Sequence, residues 1–163
     1  MKKITYTNTM SYIYNAERKG AKYSLDSGAT YKNHGELCES IAKFHRGYDY
    51  LINPATSYDE NSDIREMNAS VKSSGASLAC IYGNSFDSIL NIYFNNVHSN
   101  LWIYVTVANE EVTEYHMDEK EFRKFCETWG NLVRESGTNL LKIRLKKESN
   151  KMLNWLDNLT NEN

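Results

Sequence analysis

No apolar run in this 163-residue chain approaches the roughly 18 residues that a membrane-spanning helix needs, and none follows Lys2 and Lys3 as in a secretory leader. The sequence therefore predicts a protein outside the membrane, with the cytoplasm as its compartment. Its three cysteines, Cys38, Cys80 and Cys126, are too few and too scattered for a disulfide framework, and they read as reduced core thiols. No His-x3-His or Cys-x2-Cys pair is present, which argues against structural zinc. Gly75 and Gly83 lack the Gly-x4-Gly-Lys spacing of a phosphate-cradling loop, so nucleotide hydrolysis of that kind is not expected. There is one proline, Pro54, and little net charge, −2 at neutral pH. A chain with that balance does not coat nucleic acid by bulk electrostatics; a nucleic-acid enzyme would need a local basic face.

What is present is an α/β pattern of a length suited to one domain spanning residues 1–163. The tyrosine-rich first thirty residues suggest short strands with turns at Gly20 and Gly28. Leu37, Ile41 and Phe44 recur at helical spacing before Gly47, and Tyr48 to Asn53 suits a strand. Asp63 to Glu66 and Ala69 to Ser73 read as adjacent strand segments, with Leu78 to Tyr82 continuing or pairing with them. Phe86, Leu90, Tyr93 and Val97 mark a second helix behind an Asn84-Ser85 cap, and Leu101 to Ala108 with Val112 to His116 forms a hairpin. Asp118 and Glu121 form a capping box for a third helix, with Phe125, Cys126, Trp129 and Val133 on its buried face and Gly137 at its end. Leu140 to Lys146 alternates as a strand. Ser149 opens a last helix striped by Met152, Leu153, Leu156 and Leu159.

Chemistry concentrates in one segment. Asp63 stands at the boundary between a polar loop and Ile64, and the β-prone stretch Ala69-Ser70-Val71-Lys72-Ser73 follows at short range. Strand alternation turns Val71 to the core and places Ser70 and Lys72 together on the other face. An acid at a strand end can hold Mg²⁺, and a lysine nearby can orient the attacking water or stabilise phosphate charge. The position two residues before the lysine would ordinarily supply a second acid. Here it is Ser70, a much poorer Mg²⁺ ligand.

The helix, strands, helix, strand succession around Asp63 and Lys72 resembles the PD-(D/E)XK nuclease superfamily, also called restriction-endonuclease-like, over roughly residues 34–108. That superfamily includes restriction enzymes, Holliday-junction resolvases and many phage or mobile-element proteins. The resemblance implies a mixed β-sheet flanked by helices, here with a C-terminal strand and helix added, together with Mg²⁺ as cofactor and DNA as substrate. It makes Asp63 a metal ligand, Lys72 the lysine of the motif and Ser70 the occupant of the vacated acid position. Several members carry Gly-x-x-x-Glu in the first helix, and Gly35-Glu36-Leu37-Cys38-Glu39 reproduces it, which makes Glu39 a catalytic candidate. Helical spacing points the other way, since it sets Glu39 almost opposite Leu37, Ile41 and Phe44 and predicts a solvated acid. Asp87 and Glu66 are the other acids that could replace the one missing at Ser70. Asp87 also has a simple structural role, as an acid favoured by the dipole of a helix's first turn.

Lys142, Arg144 and Lys146 share one face of their strand and form the best local basic patch, suited to phosphate binding or to guarding a sheet edge. Trp102, Tyr104 and Thr106 share a face of theirs, where packing under a helix is the default and base stacking would need an exposed platform. The Ser70 substitution also leaves a reading without chemistry: a nuclease-fold module that binds nucleic acid, or a protein partner such as a host defence complex. The sequence leaves a homodimer open.

Overall fold

The computed structural model describes residues 1–15, 23–25, 30–31, 33–48, 62–78 and 82–161. In chain order its elements are β1 (Lys2–Thr7), β2 (Tyr12–Tyr14), β3 (Tyr23–Leu25), β4 (Thr30–Tyr31), α1 (His34–His45), β5 (Ala69–Lys72) and α2 (Phe86–Asn96). After these come β6 (Leu101–Ala108), β7 (Glu111–Met117), α3 (Glu119–Trp129), β8 (Gly130–Arg134), β9 (Leu141–Leu145) and α4 (Asn150–Asn161). The architecture is mixed α/β. Among the described residues no helix is long and apolar enough to cross a membrane.

β6 organises the sheet. It pairs antiparallel with β7 through a turn in which Asn109 takes φ 59°, and parallel with β5, to which α2 connects it. β1 closes the other side of β7, giving the order β1-β7-β6-β5. Alternation along β6 feeds two cores. Trp102 and Tyr104 pack with Tyr93, Phe94, Phe122 and Phe125 from α2 and α3, while Ile103 and Val105 pack with Leu37, Ile41 and Ala42 of α1. Trp102 and Tyr104 are both buried, so they are core aromatics and offer no platform to a base.

The helix starts follow local chemistry. Asn33 Oδ1 accepts from the Glu36 amide at 2.9 Å, Ser85 and Ser88 cap α2 reciprocally, and Asp118 and Glu121 do the same for α3. Gly47 follows α1 at φ 74°, the left-handed conformation that suits glycine after a helix.

Two expected elements differ. Asp63 to Glu66 is no strand: Ile64 makes a single bridge to Ala69, and Arg65–Met67 form a 3-10 turn closed by left-handed Asn68. The third helix stops at Trp129 rather than running to Gly137, and Val133 lies in β8, paired with Lys142. Gly130 permits that abrupt change, because a Cβ there would sit 2.4 Å from the Cys126 carbonyl oxygen. The expected strand at Tyr48 to Asn53 lies outside the described residues except for Tyr48, as do the turns at Gly20 and Gly28, Cys80, and all of Leu78 to Tyr82 but its two ends. Leu78 bonds to the Ile143 carbonyl, and Gly83 bridges to Leu141.

Candidate active site

Asp63 is positioned by the tight turn that follows it. Ile64 and Ala69 exchange both backbone hydrogen bonds, at 2.9 and 3.1 Å, and Asn68 anchors the turn by donating to the His98 carbonyl at 3.1 Å. The chain thereby returns alongside itself. Asp63 Oδ2 then accepts from the Val71 amide at 2.7 Å, which fixes the carboxylate against β5, one residue before Lys72.

Glu39 reaches the same place from α1. Contrary to the spacing argument, it is not a solvated acid: its side chain is only 17% exposed, and Lys43, one turn on, is buried and pairs with it at 3.1 Å. Phe44, which the spacing puts in the core, is exposed. The helix buries Leu37, Cys38 and Ile41 under the sheet and Ser40 and Lys43 beside them, so its buried arc is wider than one apolar stripe. Burial first and then the negative charge of Asp63 push the Glu39 carboxyl up to about 7, the Lys43 ion pair only partly offsetting both. Two acids from elements distant in sequence therefore share one electrostatic site.

Lys72 completes it. Burial opposes its charge, but anionic neighbours outweigh that and hold its pKa above the ordinary lysine value. Tyr93 and Cys126 contribute only once they ionise, both being raised by burial; Asp63 and Glu39 act at neutral pH. The ammonium stands 5.9 Å from the centre of the Tyr93 ring, whose hydroxyl accepts from Trp102 Nε1 at 2.9 Å.

Of the other candidates, Ser70 shares the α2-facing side of β5 with Lys72, and the acids and the basic patch lie elsewhere. Ser70 faces the α2 core with 2% exposure, its hydroxyl 2.6 Å from that of Ser99. Asp87 is exposed in the first turn of α2, and Glu66 is exposed in the 3-10 turn; neither figures among the charges acting on Glu39 or Lys72. Lys142 pairs with Glu135 at 2.9 Å, while Arg144 and Lys146 project from the same face of β9 into solvent.

No family model, curated protein or solved structure matches the chain.

Among the described residues no three His, Cys, Asp or Glu side chains converge on one point. Glu39 and Asp63 nevertheless fit Mg²⁺, an oxygen-seeking ion that often takes only one or two carboxylates and completes its shell with water and substrate phosphate.

Sequence reasoning missed Lys43 and Tyr93 here. An acid and a lysine four residues apart on a helix is a readable signal for the first; Tyr93 was legible only as core. It also missed a second polar centre, between the C-terminal end of α1 and the sheet. Glu114 is fully buried on β7, accepts from Arg46 through Nη1 at 2.9 Å and Nη2 at 2.5 Å, and receives the Tyr6 hydroxyl; His116 Nε2 lies 2.8 Å away. Burial alone would raise its pKa. The hydrogen bonds from Arg46, His116 and Tyr6 prevail and hold it down at about 2. This network ties the C-terminal end of α1 to the sheet.

Proposed function

We propose that the chain is a restriction-endonuclease-like protein that acts on DNA as a Mg²⁺-dependent phosphodiesterase, with Asp63, Glu39 and Lys72 as its catalytic groups. The observation that carries this reading is that Asp63, held by the Val71 amide one residue before Lys72, acts electrostatically on both Glu39 and Lys72. Acids that raise one another's hold on a proton, with a lysine kept cationic beside them, are the groups that phosphoryl chemistry uses.

Mg²⁺ bound between Asp63 and Glu39 would supply a water of lowered pKa and neutralise charge on the phosphate. The chain's own groups do the rest. Asp63, pinned by the Val71 amide, offers a fixed oxygen ligand. Glu39 releases its proton near pH 7 to become the second. Lys72, kept cationic by both acids and propped against Tyr93, donates to the water or to the phosphoryl oxygen as negative charge develops. Ser70 lies in the adjoining core and keeps the strand in place through Ser99.

Incubation of supercoiled and branched DNA with Mg²⁺ or Mn²⁺ tests this. We expect nicking or cleavage that Lys72→Ala abolishes with the circular dichroism spectrum unchanged. Failure to cut any of these substrates with either metal would overturn it.

A second reading keeps the fold without the chemistry, as a module that binds nucleic acid or a host defence complex. What favours it is the Glu39–Lys43 pair, which balances one of the two acids internally. Stable DNA or protein association, unaffected by Lys72→Ala and without cleavage, is its signature.

A further inference from the structure

The β8–β9 hairpin carries cations that neither the proposed catalytic centre nor sheet protection explains. Lysines on a strand commonly guard an exposed edge. β9 has no such edge to guard, because β8 pairs with one side and the Ala76–Leu78 segment with the other: Leu145 N bonds to Ala76 O at 2.7 Å, Leu78 N to Ile143 O at 3.0 Å, and Ser77 bridges to Arg144. Ile143 and Leu145 face the core, which leaves Arg144 and Lys146 on the outer surface with Lys147 beside them.

That surface is one wall of an open groove of about 710 Å³, whose other wall is His34 and the Ser74-Gly75 turn. Three cations line it, and its described lining holds no carboxylate, in a chain whose net charge is −2. Lys142, which pairs with Glu135, does not line it. The groove also lies next to the proposed centre. Ser74 is two residues beyond Lys72, and His34 is five before Glu39, roughly 7 to 8 Å along the helix axis at about 1.5 Å per residue. A DNA strand advances about 3.4 Å per nucleotide, so this is a distance of about two nucleotides.

We propose that this groove binds the phosphodiester backbone of DNA and leads it to Lys72, with Arg144, Lys146 and Lys147 as the phosphate contacts. The proposal rests on the phosphodiesterase reading for the direction of the strand. The groove's affinity for a polyanion stands independently of cleavage. The occupant follows from the wall's chemistry: three closely spaced cations, with polar Ser74 and His34 opposite them and Glu148 outside the lining, suit a repeating anion rather than an apolar or cationic partner.

Fluorescence anisotropy with a labelled oligonucleotide in metal-free buffer tests it without the cleavage step. Each lost phosphate contact lowers the slope of log affinity against log salt by about 0.9 for duplex or about 0.7 for single strands. Between about 50 and about 200 mM salt, wild-type affinity should therefore fall about 20- to 40-fold further than that of an Arg144→Ala/Lys146→Ala/Lys147→Ala variant. Asn131→Glu, which adds a carboxylate to the groove and removes no cation, should weaken binding as well. Lys120→Ala/Lys124→Ala/Lys151→Ala, altering exposed lysines of α3 and α4, should leave both affinity and slope unchanged. Parallel salt plots for the groove variant and wild type, an equal loss in the α3/α4 variant, or no DNA binding at about 50 mM salt would each overturn the groove. Binding that depends on the groove, without cleavage under any metal, overturns the phosphodiesterase reading alone. Cleavage by wild type with unaltered affinity in the groove variant overturns the groove alone.

Discussion

Replacing Glu39 by glutamine should make the protein less sensitive to a rise in pH from acid to neutral, because Glu39 weakens the fold whenever it is charged. Its carboxyl is raised from an ordinary 4.5 to about 7 by burial and then by Asp63, against the pull of Lys43. The folded state therefore holds this proton more tightly than the unfolded chain does. Stability falls as pH rises from about 4.5, where the unfolded group ionises, to about 7, where the folded one does, and is level beyond. At about 1.4 kcal/mol per pH unit the interval is worth about 3 kcal/mol. Glutamine mimics the protonated acid and keeps its size, so it removes this dependence while every other titrating group is retained. Urea unfolding of both proteins from pH 4 to pH 9 supplies the comparison, with the difference in unfolding free energy taken at each pH. We expect that difference to move in favour of Glu39→Gln by about 3 kcal/mol between about pH 4.5 and about pH 8, with a midpoint between those values. Parallel stability curves would show Glu39 to be the solvated helix acid that its spacing suggests, and the shared site with Asp63 would be refuted.

Asp63→Asn removes the second largest cause of the raised Glu39 value, so the Glu39 titration followed by carboxyl NMR should shift downward; no shift would separate the two acids. Mg²⁺ binding must displace the Glu39 proton below about pH 7, so affinity measured by calorimetry should rise up to about tenfold per pH unit to that point and then level off, with proton release on its acidic side only. A flat profile across pH 5 to 8 would remove Glu39 from the ligand set. Arg46→Ala leaves the Glu114 carboxylate buried without its main partner and should cost roughly 3–5 kcal/mol in urea unfolding at neutral pH. Because Glu114 is held at about 2, its contribution is present above about pH 4.5 and is lost as pH falls toward about 2; a penalty for Arg46→Ala that persists undiminished at pH 2 would contradict this.

Where local chemistry decides structure, the sequence was readable. Asp118 and Glu121 announce α3 because a capping box is made within four residues, and the alternation of Leu101 to Ala108 announces β6 because both its faces are covered. Glu39 was not readable that way. Periodicity finds the strongest apolar stripe of a helix, and α1 buries polar Ser40 and Lys43 as well as Leu37 and Ile41, a choice made by what packs around it rather than by its own residues. The end of α3 was lost for a related reason: Val133 fits both a helical stripe and a strand, and only the partner strand β9 decides. Asp63 and Lys72 were legible together because one short turn joins them, whereas the link from Asp63 to Glu39 entered only through a resemblance. Glu114 had a faint signal, an acid sharing a strand face with buried Val112, but its partners Arg46 and Tyr6 lie far away in sequence.

The serine at position 70 takes on a different meaning once its surroundings are known. An acid there would project into the α2 core beside Ser99, in a position with 2% exposure, and would have to be desolvated against aromatic side chains. On the phosphodiesterase reading the second acid comes instead from α1, which meets the edge of β5 from the opposite layer and carries its own counter-charge in Lys43. Two acids thus face two lysines, Lys43 and Lys72, so the site is close to balanced without any ligand. On the phosphodiesterase reading this has a thermodynamic consequence. A divalent cation entering alone adds two positive charges to a balanced site, and a phosphodiester entering alone adds one negative charge; entering together they partly offset one another, so each strengthens the binding of the other. On this reading, a site with serine on its strand and its second acid on a helix reserves its metal for the substrate-bound state.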